Sequence, residues 1–231
     1  MSPQIKKSSL AIDPADLAQR DRYKQLVGLI IPRPIALVTT LGPSGVLNAA
    51  PFSFFNLFSE APPLIVLGLQ SKPNGALKDT AAHIRDRGSF VVNLVDEALG
   101  ERMNTCAVDF PPEISEIHVA GLTSLPSVKI PVPRIAEAPA ALECRHYTTL
   151  EVSRERRLAL GEIVYVHVRE GIVDPERLYV DMNEYRPLAR LHGDFYASLG
   201  QPFTHKHRTY GEWAAASDVN GEKTAPRREP S

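Results

Sequence analysis

Apolar residues in this chain occur in short runs that glycine, proline and charged residues interrupt. Runs rich in valine, isoleucine, leucine and phenylalanine predict strands at residues 35–41, 46–52, 64–69, 90–95, 140–152 and 158–169. A charged turn at residues 153–157 joins the last two strands. Because apolar residues occupy both faces of residues 158–169, we expect both faces of that strand to be covered.

Helical patterns are fewer than strand patterns. Residues 16–28 and 76–87 predict helices, and Gly88 is placed to end the second one. Shorter or less regular helical candidates follow at residues 97–107, at 113–119 and, within a mixed pattern, at the end of 185–199.

Many short strands with interspersed helices predict one α+β domain that is dominated by β-structure and built on an antiparallel barrel. A doubly wound sheet is the alternative, because the helix between the third and fourth strands could belong to a βαβ unit. No glycine-rich turn links a strand to a helix, which argues against that alternative. We expect an N-terminal arm at residues 1–15, the domain at 16–203 and a polar tail at 204–231, with disorder over 217–231.

Composition restricts the classes of function. The chain has 231 residues, 43% of them hydrophobic and 23% charged, and a formal net charge of −1, so nothing draws it strongly to nucleic acid or an anionic membrane. No apolar run approaches the length of a membrane span, and the start lacks the apolar core of a signal peptide, so we expect a cytoplasmic protein. Cys106 and Cys144 match no zinc or redox spacing and are expected to be unpaired buried thiols.

Several well-known motifs are missing from the sequence. It contains no G-x-G-x-x-G, no G-x-x-x-x-G-K-S/T, no H-E-x-x-H and no G-x-S-x-G. Its closest histidine pair, His205 and His207, lies in the predicted tail, so no metal site is predicted. The basic residues of the turn at 153–157 accompany Glu155 without interleaved aromatic residues, so nucleic-acid binding is not indicated.

The run at residues 48–56 is a poor core strand and a good candidate for ligand binding. It mixes small residues, two asparagines, a serine and three phenylalanines around Pro51. Small residues let a flat ligand approach the backbone, asparagine and serine supply donors, and phenylalanine supplies apolar walls. The alternative is that the phenylalanines belong to the core, as the alternation of a strand requires for some of them.

The segment Lys78-Asp79-Thr80 opens the predicted helix after the third strand. Free N–H groups at the start of a helix attract anions, and a threonine hydroxyl and a lysine ammonium would complete a phosphate site. The alternative is an ordinary surface helix in which Asp79 is the cap.

Taken in order, these segments resemble the flavin reductase-like family, the FMN-binding split-barrel proteins that include flavoredoxins. The matching pieces are residues 33–40, 45–56, 62–63, 77–80, 90–93 and 187–191. The resemblance implies a Greek-key split barrel with peripheral helices that forms a homodimer. It also implies FMN as the cofactor, with FAD as the less favoured alternative, NAD(P)H as the hydride donor, and a flavin-dependent oxygenase or other electron acceptor as the partner.

The same resemblance implies a set of site residues, with the flavin ring and ribityl chain at residues 48–56 and the phosphate at Lys78 and Thr80. The cofactor-binding residues are expected to be Asn48, Ala49, Ala50, Pro51, Phe52, Ser53, Phe54, Asn56, Lys78, Thr80, Asn93 and Arg190. For Asn93 the alternative is a buried amide that bonds to backbone. His192, where the family usually has glycine, and His146 are candidates near the nicotinamide, and for His146 a structural role is the alternative.

The implied reaction is hydride transfer from NADH or NADPH to the flavin, followed by delivery of reduced flavin or electrons to an acceptor. Because the flavin itself carries the redox chemistry, no catalytic triad is required. Two alternatives remain open: a non-enzymatic electron carrier of the flavoredoxin type, and a flavin-binding protein without turnover.

Overall fold

The computed structural model of this chain describes residues 9–219, which fall into two compact units, 9–199 and 200–219. The larger unit is dominated by strands and contains four α-helices. The smaller unit contains one helix, α5 (Tyr210–Val219).

The strands and helices of the larger unit are short apart from one long hairpin. The strands are β1 (Arg33–Pro34), β2 (Ala36–Leu41), β3 (Leu47–Phe52), β4 (Phe55–Glu60), β5 (Pro63–Gln70), β6 (Ser89–Leu94), β7 (Ser124–Leu125), β8 (Arg134–Ile135), β9 (Ala140–Ser153), β10 (Arg156–Val168), β11 (Leu188–Arg190) and β12 (Tyr196–Ser198). The helices are α1 (Gln19–Leu29), α2 (Asp79–Arg87), α3 (Gly100–Thr105) and α4 (Glu116–Val119), with 3₁₀ turns at Pro14–Asp16 and Glu97–Leu99.

A seven-stranded sheet in the order β3-β2-β6-β9-β10-β5-β4 forms the centre of the fold. Smaller sheets are formed by β1-β11-β12 and by β7-β8. Every strand pair that the structure describes in these sheets is antiparallel. The doubly wound alternative is therefore wrong: the helix between β5 and β6 does not connect neighbouring parallel strands.

The two edges of the large sheet, β3 and β4, are neighbours in the chain and are separated only by Ser53 and Phe54. The sheet must therefore curl until its edges approach each other. The contact that fixes this corner joins Phe54 to β5: the Gly68 N–H donates to the Phe54 carbonyl at 2.7 Å. Because no hydrogen-bonded ladder joins β3 to β4 within residues 9–219, the curled sheet is open at this edge.

Both faces of the central strands are covered by apolar side chains, because alternate residues of a strand point to opposite faces. Val38 packs in a cluster that includes Phe90 and, from α2, Ile84. Leu37, one residue earlier, packs in a second cluster that includes Met103 of α3. The helices are thus held against the sheet by burial of apolar area.

Helix α2 lines a cavity in the protein with its first turn. It begins at Asp79, three residues later than predicted, with Lys78 in the N-cap position and no side-chain cap. It ends, as predicted, at Gly88, which has φ of 66° and donates its N–H to the Ile84 carbonyl.

Most predicted strands are confirmed, and the errors fall where local pattern is weakest. Strand β4 was not predicted, because its first two residues, Phe55 and Asn56, were assigned to the ligand-binding run at residues 48–56. Residues 185–199 form β11 and β12 rather than ending in a helix. Residues 217–219 belong to α5 instead of being disordered, and residues 220–231 lie outside the described part of the chain.

The contact between Gly68 and Phe54 gives a stability prediction. A Cβ added at Gly68 would lie 2.7 Å from the Phe54 Cβ, so one of the two strands must shift. We expect Gly68→Ala to lower the free energy of unfolding by about 1–3 kcal/mol, as other overpacked positions do. Urea denaturation measures this loss. Gly200→Ala, where the added Cβ meets open space, is the control, and an equal effect of the two substitutions would contradict the packing argument.

Candidate functional site

Two adjoining cavities lie where the β3–β4 corner, the start of α2 and the tip of the β9–β10 hairpin meet. We call them the hairpin cavity, of about 410 Å³, and the loop cavity, of about 620 Å³. The hairpin cavity reaches the β9–β10 hairpin, and the loop cavity reaches the segment after α3. The walls shared by the two cavities are formed by Pro51, Phe52, Gln70, Lys78 and Thr80. Together they form one elongated site.

The hydroxyl of Thr80 is oriented by a hydrogen-bonded network that runs behind the cavities. The Asn48 amide donates to the Thr80 hydroxyl at 3.1 Å and to the Thr40 hydroxyl at 3.2 Å. Thr40 in turn is 3.0 Å from Nδ1 of His83, whose pKa is lowered, chiefly by burial, so that the ring is held neutral. Since Thr80 already accepts from Asn48, its own hydroxyl hydrogen is left to donate into the site.

The start of α2 adds further donors beside Thr80. Side chains do not cap this end of the helix in the described structure, and its first N–H groups have no partner further back in the helix. Lys78 lines both cavities and pairs with Asp109 at 3.3 Å. Both members of that pair are exposed, so the pair contributes little and leaves Lys78 available to an anion in the site. Asp79 pairs with Lys72 at 3.5 Å rather than capping the helix.

The two cavities differ in charge. Among the described residues that line the hairpin cavity, Lys78, Arg156 and Arg157 are basic and none is acidic. The loop cavity, by contrast, has two lysines and three acidic residues in its wall, including Glu116. The hairpin cavity is therefore the better environment for an anion.

Glu116 is the one buried carboxyl group in the described wall of the loop cavity. It is 9% exposed and accepts a hydrogen bond from the Ala49 N–H at 2.9 Å. Burial raises the pKa of this carboxyl above its usual value. Burial also raises the pKa of the nearby Cys106 thiol to about 12, so Cys106 is an inert lining residue rather than a nucleophile.

The structure brings together most of the residues that the sequence predicted for the site. Those that line one or both cavities are Asn48, Ala50, Pro51, Phe52, Ser53, Phe54, Lys78 and Thr80. Both amide hydrogens of Asn48 are engaged by threonine hydroxyls, which gives this residue an orienting role. Phe52 and Phe54 contribute apolar wall.

Four predicted cofactor-binding residues lie outside the described walls of both cavities. Ala49 is fully buried, and its N–H is used by Glu116. Asn56 is exposed on β4, where its side chain accepts from the Leu57 N–H. Asn93 is fully buried, and its amide donates to the Leu37 carbonyl and accepts from the Ile135 N–H.

Arg190 donates to the Gly193 carbonyl, and its guanidinium lies over the Tyr196 ring.

The two histidine candidates for a nicotinamide site also lie away from the cavities. His146 bonds to the Thr149 hydroxyl at 2.7 Å, in keeping with the structural alternative. The His192 ring lies 5.2 Å from the ring of Phe195, in the exposed turn between β11 and β12.

Sequence reasoning missed the contribution of the β9–β10 hairpin and of Tyr23. Residues 153–157 were interpreted only as a charged turn, yet Arg156 and Arg157 line the hairpin cavity. Three arginines within this short turn were the available signal. Their placement beside α2 depends on the pairing of β10 with β5, which local sequence does not specify.

Neither a metal site nor a membrane-spanning helix is found within residues 9–219. No group of three or more histidine, cysteine, aspartate or glutamate side chains in that range could hold a metal ion. No helix there is both long and apolar enough to cross a membrane.

Known proteins show clear similarity to this chain. A family model for the flavin reductase like domain matches residues 28–189. The 2-nitrobenzoate 2-nitroreductase NbaA of Pseudomonas fluorescens is 39% identical, with a TM-score of 0.80 over 87% of this chain and 98% of NbaA. Nitrilotriacetate monooxygenase component B from Bacillus cereus is 37% identical, with a TM-score of 0.82 over 86% of this chain and 100% of that protein.

A more distant structure supports the fold alone. A Shewanella frigidimarina protein with a split barrel domain is 19% identical, with a TM-score of 0.74 over 84% of this chain and 96% of that one. The curled, open sheet is therefore a split barrel, and the fold predicted from the sequence is confirmed.

Glu116 gives a prediction about pH. Because its folded pKa is raised, the folded protein holds a proton in a pH window where the unfolded chain has released it. The stability that this group contributes is thus full below the unfolded pKa and declines as pH rises to the folded pKa. Glu116→Gln keeps an acceptor for the Ala49 N–H but cannot ionise. We expect the free energy of unfolding of the variant, minus that of the wild type, to increase with pH through this window.

Denaturant unfolding from roughly pH 4 to roughly pH 8 measures this difference. Glu113→Gln is the matched control, since Glu113 lies exposed three residues before Glu116. If the difference in the free energy of unfolding between Glu116→Gln and the wild type stays constant with pH, the raised pKa of Glu116 is contradicted.

Proposed function

The chain belongs to the flavin reductase-like family, and from that premise we propose that it binds FMN in the two joined cavities and reduces it with NADH or NADPH. One observation carries the proposal: the open start of α2, with Lys78 and Thr80, lies in the same site as the apolar wall around Phe52. A phosphate and a flat ring need these two surfaces side by side.

The donors at the start of α2 suit the flavin phosphate. Thr80 has a hydroxyl hydrogen free to donate, and Lys78 supplies a positive charge. The N–H groups of the first helical turn add donors and the favourable end of the helix dipole. These groups would hold a phosphate monoester, which favours FMN over FAD as the cofactor.

The segment from Ala50 to Phe54 suits the ring and ribityl chain. Pro51 and Phe52 line both cavities, and Phe54 lines the hairpin cavity. These side chains would exclude water from one face of the ring, and Ser53 and neighbouring backbone groups would bond to polar atoms at its edge. When bound, the flavin supplies the redox chemistry by accepting a hydride and passing on electrons.

Glu116 would serve as a proton-holding group in the wall of this site. Its carboxyl is buried, and its raised pKa favours the protonated form at a higher pH than usual. Flavin reduction involves protons as well as electrons, and a carboxyl with a raised pKa is suited to hold a proton beside the bound flavin.

We also propose a homodimer that delivers reduced flavin, or its electrons, to an oxygenase. Edge strand β4 exposes Leu57 and Phe58, the latter 69% exposed, which supports an apolar contact with a second copy. The similarity to nitrilotriacetate monooxygenase component B supports an oxygenase as the acceptor.

Substitution of the proposed phosphate ligands tests the binding assignment. We expect Lys78→Ala and Thr80→Val each to weaken FMN binding by roughly 10-fold to 100-fold, the range for loss of one hydrogen bond to a charged group. Titration of FMN by fluorescence gives the affinities. Lys24→Ala, which removes an exposed lysine of α1, is the control. Unchanged affinity in both variants would rule out this phosphate site.

Anaerobic reduction tests the reaction. We expect the absorbance bands of protein-bound FMN to bleach within the mixing time of a manual experiment after addition of NADH or NADPH, and the faster donor identifies the physiological one. Bands that persist with both donors, in a protein that binds FMN, would contradict the reductase function and favour an electron carrier.

A further inference from the structure

The hairpin cavity contains a basic group that has no partner in the protein. Nη1 of Arg156 is buried, and no protein atom accepts a hydrogen bond from it. Arg156 lines the cavity together with Lys78 and Thr80. A buried N–H without an acceptor is unfavourable, so such groups in folded proteins usually meet a ligand or water.

The neighbouring arginines of the same turn have partners in the protein, whereas the Arg156 guanidinium has none in the described structure. Arg157 donates to the Ser71 hydroxyl at 2.6 Å and to the Glu151 carboxylate at 2.9 Å. Arg154 donates to the Asn74 carbonyl at 3.3 Å. Arg156 alone of the three forms neither an ion pair nor a side-chain hydrogen bond in the described structure.

The wall around Arg156 offers it no negative charge. No aspartate or glutamate is among the described residues that line the hairpin cavity. A ligand that carries its own negative charge would supply the acceptor that the wall lacks. A guanidinium group matches the oxygens of a phosphate with two parallel donors, which is why arginine commonly recognises phosphate.

We propose that Arg156 is a phosphate ligand of this site and makes the chain select FMN over riboflavin, which lacks the phosphate. The inference rests on the proposed function, because it assumes that a flavin occupies the joined cavities. Arg156 starts β10 opposite Gln70 of β5, and Gln70 lines both cavities, so the hairpin places Arg156 in the wall of the cavity that Lys78 and Thr80 also line. The phosphate would then be held by β10 as well as by α2.

A comparison of two ligands and three variants tests this assignment. FMN and riboflavin are titrated into the wild type, Arg156→Met, Arg156→Lys and the control Arg154→Met, with flavin fluorescence as the readout and circular dichroism to confirm folding. We expect Arg156→Met to weaken FMN binding roughly 10-fold to 100-fold, as loss of a charge-assisted hydrogen bond predicts, and to leave riboflavin binding within about 2-fold. Arg156→Lys keeps the charge but loses the two parallel donors of the guanidinium, so its FMN affinity should lie between those of the wild type and Arg156→Met. The FMN affinity of Arg154→Met should match that of the wild type.

The other outcomes separate this inference from the proposed function. If Arg156→Met binds FMN as well as the wild type does, or weakens FMN and riboflavin equally, Arg156 is not a phosphate ligand, and the flavin site stands. If the wild type binds neither flavin, both the inference and the proposed function are overturned. If Arg156→Met fails to fold, the affinity of Arg156→Lys for FMN relative to riboflavin decides the question. A ratio equal to that of the wild type overturns the inference, and a lower ratio supports it.

Discussion

The site depends on the contact between the carbonyl of Phe54 and the backbone of Gly68. This contact joins the corner between the two edge strands to β5, and the absence of a side chain at Gly68 lets Phe54 lie directly against the strand. The two-residue connection between β3 and β4 makes the sheet curl, and this contact fixes the resulting corner against β5. The curl brings the β3–β4 corner near the hairpin of β9 and β10, and α2 closes the space between them.

The two cavities of the site differ in charge, so the two ends of the site are not equivalent for a ligand. Basic groups concentrate in the hairpin cavity, whereas carboxyl groups, among them Glu116, lie in the loop cavity. The hairpin cavity is therefore the preferred position for the anionic end of a ligand, and this preference orients the ligand. Asn48 reinforces that orientation from behind, because its amide fixes which way the Thr80 hydroxyl donates.

Much of this could be predicted from sequence, because local patterns determine much of the fold. Strands with strong apolar runs, the termination of α2 at Gly88 and the placement of Lys78 and Thr80 at a helix start all follow from neighbouring residues. Strand β4 and the pair β11 and β12 did not, since their strand conformation comes from pairing with distant segments. For the same reason Arg156 was missed: it reaches the site only through the register of β10 with β5. Asn93 could be interpreted as ligand-binding or structural from sequence, and its amide is engaged by two backbone partners.

A crystal structure of the protein with FMN would test the central claim most directly. The account predicts a flavin phosphate within hydrogen-bond distance of the Thr80 hydroxyl and the first N–H groups of α2, with the ring against the segment from Ala50 to Phe54. A flavin bound elsewhere on the protein, or one bound in these cavities with its phosphate directed away from α2, would contradict it.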